Sequence, residues 1–460
     1  MNFDLVITGA RVCAPSGIKK ADICVRGGKI AALHPHGTRV RAGKTVDASG
    51  LVALPGVVDP HVHFQLPIRP GLSTIDDFRS GSLSALCGGV TTVIDYTAQP
   101  CGVPLETGLS QRLAAADGNM HCDYGLHCVI PSWKKLKDAP AQMRRLIRLG
   151  VPSFKLFMIY EERGMQADDA DILSALEASR GNGALVCLHA ESQKLIDFLL
   201  PRCKDMGMKG HSLSRPCHSE WEAVQRALAW ASYTGGKIYF VHLSCGISAM
   251  KIDIARRTGV RAWGETCPQY LTLEDSVFSR RDGHYYATCP QIKTAADSRL
   301  LWDQLQKGVY TIGTDSCAFS RAQKDSWGGD FTKVPYGMPG VETALPVLYT
   351  YGVKGGKLAL YEMVRLMSEN PARIMGLYPQ KGALLPGSDA DIVLLDPDKG
   401  RKADCKKLHS RCDWTPYQGR TLYGWPEKVF LRGTLAVDGG QPVRQTPGGR
   451  FLRRKISEFF

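Results

Sequence analysis

The sequence predicts a (β/α)8 barrel of the TIM type, with a smaller β-sandwich-like domain built from both termini. Three observations carry this expectation. The middle of the chain alternates eight apolar, strand-like runs with helix-like stretches, the two ends share a different, β-rich texture, and 460 residues exceed one ordinary hydrophobic core. The expected boundaries are residues 1–56 plus 379–460 for the β-rich domain and 57–378 for the barrel.

In chain order, the first segment reads as short strands joined by glycine turns. Leu5-Val6-Ile7 is followed by Asp22-Ile23-Cys24-Val25, which turns at Gly27-Gly28 into Lys29-Ile30-Ala31-Ala32-Leu33. The same texture returns in Ala390-Asp391-Ile392-Val393-Leu394-Leu395 and Val429-Phe430-Leu431-Arg432-Gly433. Between them, strand candidates end near Asp59, Asp95, Val129, Lys155, His189, His242, Glu265 and Asp315. Amphipathic or capped stretches such as Asp76–Cys87, Ala167–Arg180, Ser219–Tyr233 and Ala295–Leu305 separate them. Right-handed crossovers between parallel strands make a closed barrel the natural outcome. Loops rich in Gly, Pro and charge at Pro67–Thr74, Asp275–Gly283 and Ser320–Gly340 follow strands one, seven and eight, on the face where such barrels build active sites.

Composition narrows the function classes. Hydrophobic content of 44% and charged content of 22% suit a water-exposed globular enzyme, and no run approaches the roughly 20 apolar residues of a membrane span. The start, Met1-Asn2-Phe3-Asp4-Leu5, lacks a basic region leading into an apolar one, so a cytoplasmic location is expected. The 15 cysteines are scattered without a Cys-x-x-Cys pair and read as reduced core thiols. The net charge of +14 comes from modest clusters and a basic tail, Arg450 to Lys455, with no nucleic-acid module; it leaves room for attraction of anionic substrates.

The candidate site starts at Val57-Val58-Asp59-Pro60-His61-Val62-His63. Alternate residues of an extended segment point the same way, so His61 and His63 can reach one metal ion. Lys155, His189, His242 and Asp315 also terminate apolar runs. A lone histidine in such a place is more often a satisfied core residue, but six groups of this kind on one barrel face are hard to assign to coincidence. Histidine nitrogens and a carboxylate, without thiolate, suit Zn2+ or a similar divalent ion with positions left open for water. Lys155 has two readings: an exposed strand-end ammonium, or a buried amine of lowered pKa able to take up CO2 as a carbamate. Spacing leaves both open.

Taken together, His61-Val62-His63, Phe154-Lys155-Leu156-Phe157-Met158-Ile159-Tyr160, Leu188-His189-Ala190-Glu191, Val241-His242-Leu243-Ser244-Cys245, Glu265-Thr266-Cys267-Pro268-Gln269-Tyr270-Leu271 and Gly313-Thr314-Asp315 resemble the cyclic amidohydrolases. Within them the match is to the D-hydantoinase and dihydropyrimidinase branch, including phenylhydantoinase-like members, and it spans nearly the whole chain. The resemblance implies hydrolysis of a cyclic ureide to an N-carbamoyl amino acid by a homotetramer or homodimer. It implies two divalent ions, zinc by expectation, bridged by a carbamate on Lys155, with His61, His63 and Asp315 on one ion and His189 and His242 on the other. Asp315 would relay the proton and Tyr160 would donate its phenol to the oxyanion. Allantoinase-like hydrolysis is the enzymatic alternative. A non-catalytic scaffold related to dihydropyrimidinase is the other, and the complete ligand set disfavours it.

Three departures from the branch's pattern bear on specificity. Cys289-Pro290-Gln291-Ile292-Lys293 stands for Ser-Pro-Pro-Leu-Arg, Tyr336-Gly337 stands for Asn-Gly, and Ser316 follows Asp315 where histidine is usual. The resemblance implies ring recognition through the backbone at Cys289 and Tyr336. Leu66 and Phe157 give the loop after strand one an apolar rim, while Arg69 either faces solvent or meets an anionic substituent. Gln65 occupies the place where dihydroorotases carry arginine, which argues against that reaction.

Overall fold

A computed structural model describes residues 2–15, 17–443 and 446–459 of the chain. Its centre is an eight-stranded, all-parallel sheet of Val57–Asp59, Val90–Tyr96, Asp123–Val129, Ser153–Phe157, Leu185–His189, Ile238–Leu243, Ala262–Thr266 and Val309–Ile312, neighbours in that order. Each run identified in the sequence is a strand. Past the last strand, Val62 pairs with Ser316, and His63 N donates to Ser316 O at 3.0 Å, so the first and eighth strands meet and the sheet closes. Ser316 thus closes the barrel through its backbone, which any residue can supply.

The strands are buried on both faces, as helices outside and side-chain layers inside require. The helices follow the expected capping rules. Asp77 caps Phe78–Cys87 by accepting from Ser80 N, and Asp168 with Asp171 forms a capping box on Asp169–Asn182. Two expectations shift in detail. Lys155 lies inside its strand, which continues to Phe157, and His61 and His63 lie just past theirs, which ends at Asp59. Pro67–Thr74, expected as an irregular loop, holds a small hairpin, Pro67–Arg69 with Leu72–Ser73.

The second layer is a mostly antiparallel nine-stranded sheet whose strands come from Asn2 to Pro55 and from Ile392 to Pro442. Strand alternation divides its apolar residues between two clusters, with Leu5, Ile7 and Ile23 in one and Val6 and Cys24 in the other. In the basic tail Arg450, Arg453 and Lys455 are exposed, whereas Arg454 is buried. Residues 450–455 run under the barrel, where Leu452 N donates to Tyr124 O at 2.7 Å and Arg454 N to Gly150 O at 3.0 Å. The Arg454 side chain is buried and donates to Leu126 O and Ser153 Oγ, closing the floor opposite the site.

Candidate metal centre

At the C-terminal mouth of the barrel, His61 Nε2 and His63 Nε2 lie 3.2 Å apart, and Asp315 Oδ1 is 3.3 and 3.1 Å from them. Three ligand atoms at such spacing form one face of a tetrahedron whose edge is about 3.3 Å when ligand bonds are near 2.0–2.1 Å, the range for Zn–N and Zn–O. Two imidazoles and a carboxylate converging on one point fit a divalent cation. A second indication is Lys155 Nζ, a buried amine at this mouth without a hydrogen-bond partner among the described residues.

Carboxylates orient two of the candidate ligands, His61 and His189. Glu265 Oε1 accepts from His61 Nδ1 at 2.7 Å and from His242 N at 3.0 Å, and Oε2 accepts the Tyr239 hydroxyl at 2.8 Å. Burial pushes the Glu265 carboxyl up to about 7, while three donors call for its ionised form. A carboxylate on Nδ1 leaves the lone pair of His61 on Nε2, the atom that faces His63 and Asp315. His189 is set the opposite way. Its Nε2 meets Glu191 Oε2 at 2.8 Å, and Glu191, held well below the usual carboxylate range against the effect of burial by Arg215 and His189, accepts that proton. Nδ1 is left as the ligand atom of His189. Its ring lies 4.5 Å from that of His242, centre to centre.

Burial alone would raise the Asp315 carboxyl, but the His61 and His63 imidazoles outweigh it and hold the group below its ordinary value. Asp59 fixes the turn carrying Asp315: its carboxylate accepts from Thr314 N at 3.1 Å, Thr314 Oγ1 at 2.6 Å and His61 N at 3.0 Å. Gly313 is obligatory there, since a Cβ would stand 2.7 Å from Glu265 Cδ and 3.0 Å from His61 Cβ. His242, Asp315 and Tyr160 have φ of 41°, 49° and 72°, left-handed conformations that cost non-glycine residues of order 1–3 kcal/mol and gather at functional sites.

Lys155 is 2% exposed, which discards the reading of a solvated ammonium, and burial lowers its pKa to about 8. Tyr96 stacks on His63 at 4.8 Å and lies 5.6 Å from Lys155 Nζ, walling the site. Tyr160 packs 5.7 Å from His189, and burial drives its phenol far above the ordinary value, so it keeps its proton. These groups line a cavity of about 390 Å3 that also takes in Leu66, Arg69, Phe157, Cys289 and Tyr336. Every site residue expected from the sequence therefore borders one space.

Cys289 brings a contact that backbone recognition did not foresee: its thiol stands 3.3 Å from Glu191 Oε2 and 3.2 Å from Arg215 Nη1. Tyr336 stacks on His211 at 4.8 Å. Glu265, Asp59, Tyr96, Glu191 and Arg215 carry much of the orientation without having been singled out for it. Asp59 and Glu265 had a visible signal, as acids closing apolar runs. Arg112, which ties buried Asp95 to the carbonyls of Phe64 and Gln65 in the loop after strand one, had none.

Comparison with known proteins agrees with this geometry. The amidohydrolase family profile matches residues 52–199 and 244–436, more than half of the chain. The D-hydantoinase of Rhizobium radiobacter is 36% identical over 463 residues, covering 98% of this chain and 99% of its own, and that of Geobacillus stearothermophilus is 35% identical over 457 residues, covering 98% and 96%. The crystal structure of a dihydropyrimidinase from Brevibacillus agri superposes with a TM-score of 0.93 at 31% identity, covering 98% of this chain and 99% of that one. The chain belongs to the amidohydrolase family, in its hydantoinase and dihydropyrimidinase branch.

Proposed function

We propose that this chain opens hydantoin, dihydropyrimidine or related cyclic ureide rings to N-carbamoyl amino acids at a site holding two divalent ions, zinc by ligand type. The observation that carries the reading is the triangle of His61, His63 and Asp315 beside the partnerless Lys155 amine, in a chain whose relatives are named for hydantoins and dihydropyrimidines. His61, His63 and Asp315 would hold one ion and His189 and His242 the other, with Lys155, as a carbamate, shared between them. For that role the neutral amine nitrogen adds to the carbon of CO2, forming an N–C bond and releasing one proton. Burial, which favours the neutral amine, supports this step.

When bound, the ions supply a Lewis acid for the ring carbonyl and a water acidified to near neutral pH. The chain's residues do the rest. Asp315, kept ionised beside two imidazoles, accepts the proton of the attacking water at Oδ and passes it to the departing ring nitrogen, so the C–N bond breaks without expelling an amide anion. Tyr160 keeps its phenolic proton and donates it as a hydrogen bond to the oxyanion of the tetrahedral intermediate. Leu66, Phe157 and Arg69 face the exocyclic substituent, and Cys289 and Tyr336 border the ring.

Assembly as a homotetramer or homodimer would cover the exposed Phe198, Met206 and Leu213 on the helices Gln193–Cys203 and Gly207–Leu213 and the turn between them. All 15 cysteines are free, in keeping with a reducing compartment such as the cytoplasm. No helix among the described residues is long and apolar enough to cross a membrane. The test is a panel of hydantoin, 5-substituted hydantoins, dihydrouracil, allantoin and dihydroorotate offered to zinc-loaded protein, read by loss of ring ultraviolet absorbance. Opening of the first three classes is expected. Turnover confined to allantoin or dihydroorotate, or none at all, would reject the reading.

A further inference from the structure

We infer that the mouth of this cavity binds an anion carried on the exocyclic substituent, so that the preferred substrates are cyclic ureides bearing a side-chain carboxylate. The inference rests on the ring-opening function proposed above and specifies its substrate class. Three cations, Arg69, Arg163 and Lys333, line the cavity besides Lys155, whereas the sole acid in its lining among the described residues is Asp315, which sits among the histidines of the metal triangle. Within the lining, therefore, cations outnumber acids, and the acids that pair with Arg163 and Lys333 stand outside it.

None of the three cations is held by a buried acid among the described residues. The Arg69 side chain extends from the hairpin after strand one and makes no ion pair or side-chain hydrogen bond among the described residues. Among the described residues Arg163 forms an ion pair only with its exposed neighbour Glu162, at 3.6 Å, and Lys333 only with the exposed Asp330, at 3.3 Å. Exposed pairs of this kind contribute little, so an arriving carboxylate can replace them. Position matters as well as charge. The Arg163 guanidinium lies 4.7 Å from the centre of the Tyr160 ring, and Tyr160 in turn packs 5.7 Å from His189. A cation thus sits one aromatic ring away from the reacting centre, a span that a short methylene linker can cross.

The walls suit such a linker. Leu66, Phe157 and Met165 are apolar and half-buried, and they would pack against methylenes while the guanidiniums take the terminal oxygens, where Arg offers paired donors. A concave site with low-dielectric walls also focuses the field of its cations, and the chain's net charge of +14 raises the local concentration of anions.

The experiment compares two hydantoins of nearly equal shape, 5-(2-carboxyethyl)hydantoin and 5-(2-carbamoylethyl)hydantoin, with the zinc-loaded enzyme. The carboxylate should have kcat/KM about tenfold higher at low ionic strength, expressed mainly in KM, and the ratio should shrink as salt is added. Arg69→Gln and Arg163→Gln, combined, should bring the ratio close to one; the carboxamide in each preparation is the internal control for folding and metal loading. A carboxylate opened no faster than the carboxamide overturns the inference while leaving ring opening intact. So does a preference that survives the double substitution. If neither is opened while unsubstituted hydantoin or dihydrouracil is, this inference falls and ring opening stands; if none of the four is opened, both fall.

Discussion

Glu265 takes the Nδ1 proton of His61 at 2.7 Å with one oxygen and the Tyr239 hydroxyl at 2.8 Å with the other. The seventh strand thereby sets the tautomer of a candidate ligand carried after the first, and the histidine pair proposed to hold a metal depends on a residue some two hundred positions away. Gly313 makes the approach possible, since any side chain there would collide with both partners.

Glu265→Gln should keep the fold and lose metal. The amide is isosteric but supplies donors as well as an acceptor, so it no longer fixes the His61 lone pair on Nε2. Metal affinity should fall about 10- to 100-fold, measured by competition with a chromophoric chelator. Affinity equal to that of the parent protein would show that His61 needs no orienting carboxylate.

Lys155→Ala should abolish most metal binding and ring opening. A buried amine with no hydrogen-bond partner has no evident structural task, so thermal stability measured on metal-free protein should change little by comparison. Incubating the parent protein with 13C-labelled CO2 should give a carbamate carbon resonance that the variant lacks. A parent protein with full metal and no such resonance would remove the bridging carbamate and leave Lys155 without a role.

Much of this centre was legible in the sequence because barrel strands end in the site, so an apolar run closed by His, Lys or Asp carries both fold and function in a few letters. His189 ends its strand as expected, and His242 is one residue from the end of its own. Orienting groups were harder to see. Glu265 and Asp59 close apolar runs too, but an acid bonded to an imidazole across the barrel looks the same in sequence as one facing water. Arg112 was invisible because its partners, Asp95 and the Phe64 carbonyl, are joined to it only by packing. Arg454 alone departs from its otherwise exposed basic tail, for a related reason: it has the sequence appearance of a solvated charge and is buried because the barrel floor offers it Leu126 O and Ser153 Oγ.

Tyr160→Phe should lower kcat by about 10²–10³ with little change in KM, because a phenol that donates to a developing oxyanion acts more strongly in the transition state than in the bound substrate. Steady-state kinetics on metal-replete protein measure this. A rise in KM alone would make Tyr160 a ground-state binding residue.

Acid should destabilise the folded chain through His211. Burial, aided by the Arg215 guanidinium, holds this imidazole down to about 3, while its Nε2 bonds Thr288 O at 3.0 Å. Above pH 6.5 the ring is neutral in both folded and unfolded chains, and no stability difference arises. As pH falls from 6.5 towards 3, the unfolded chain takes up a proton that the folded one refuses, so folding stability drops by about 2 kcal/mol at pH 5 from this group alone. His211→Gln keeps a donor for Thr288 O and cannot titrate. Its urea-unfolding free energy should therefore fall less than that of the parent protein between pH 7 and pH 5, by about that amount. Parallel losses in the two proteins would mean that His211 is protonated in the folded state and that the acid sensitivity arises elsewhere.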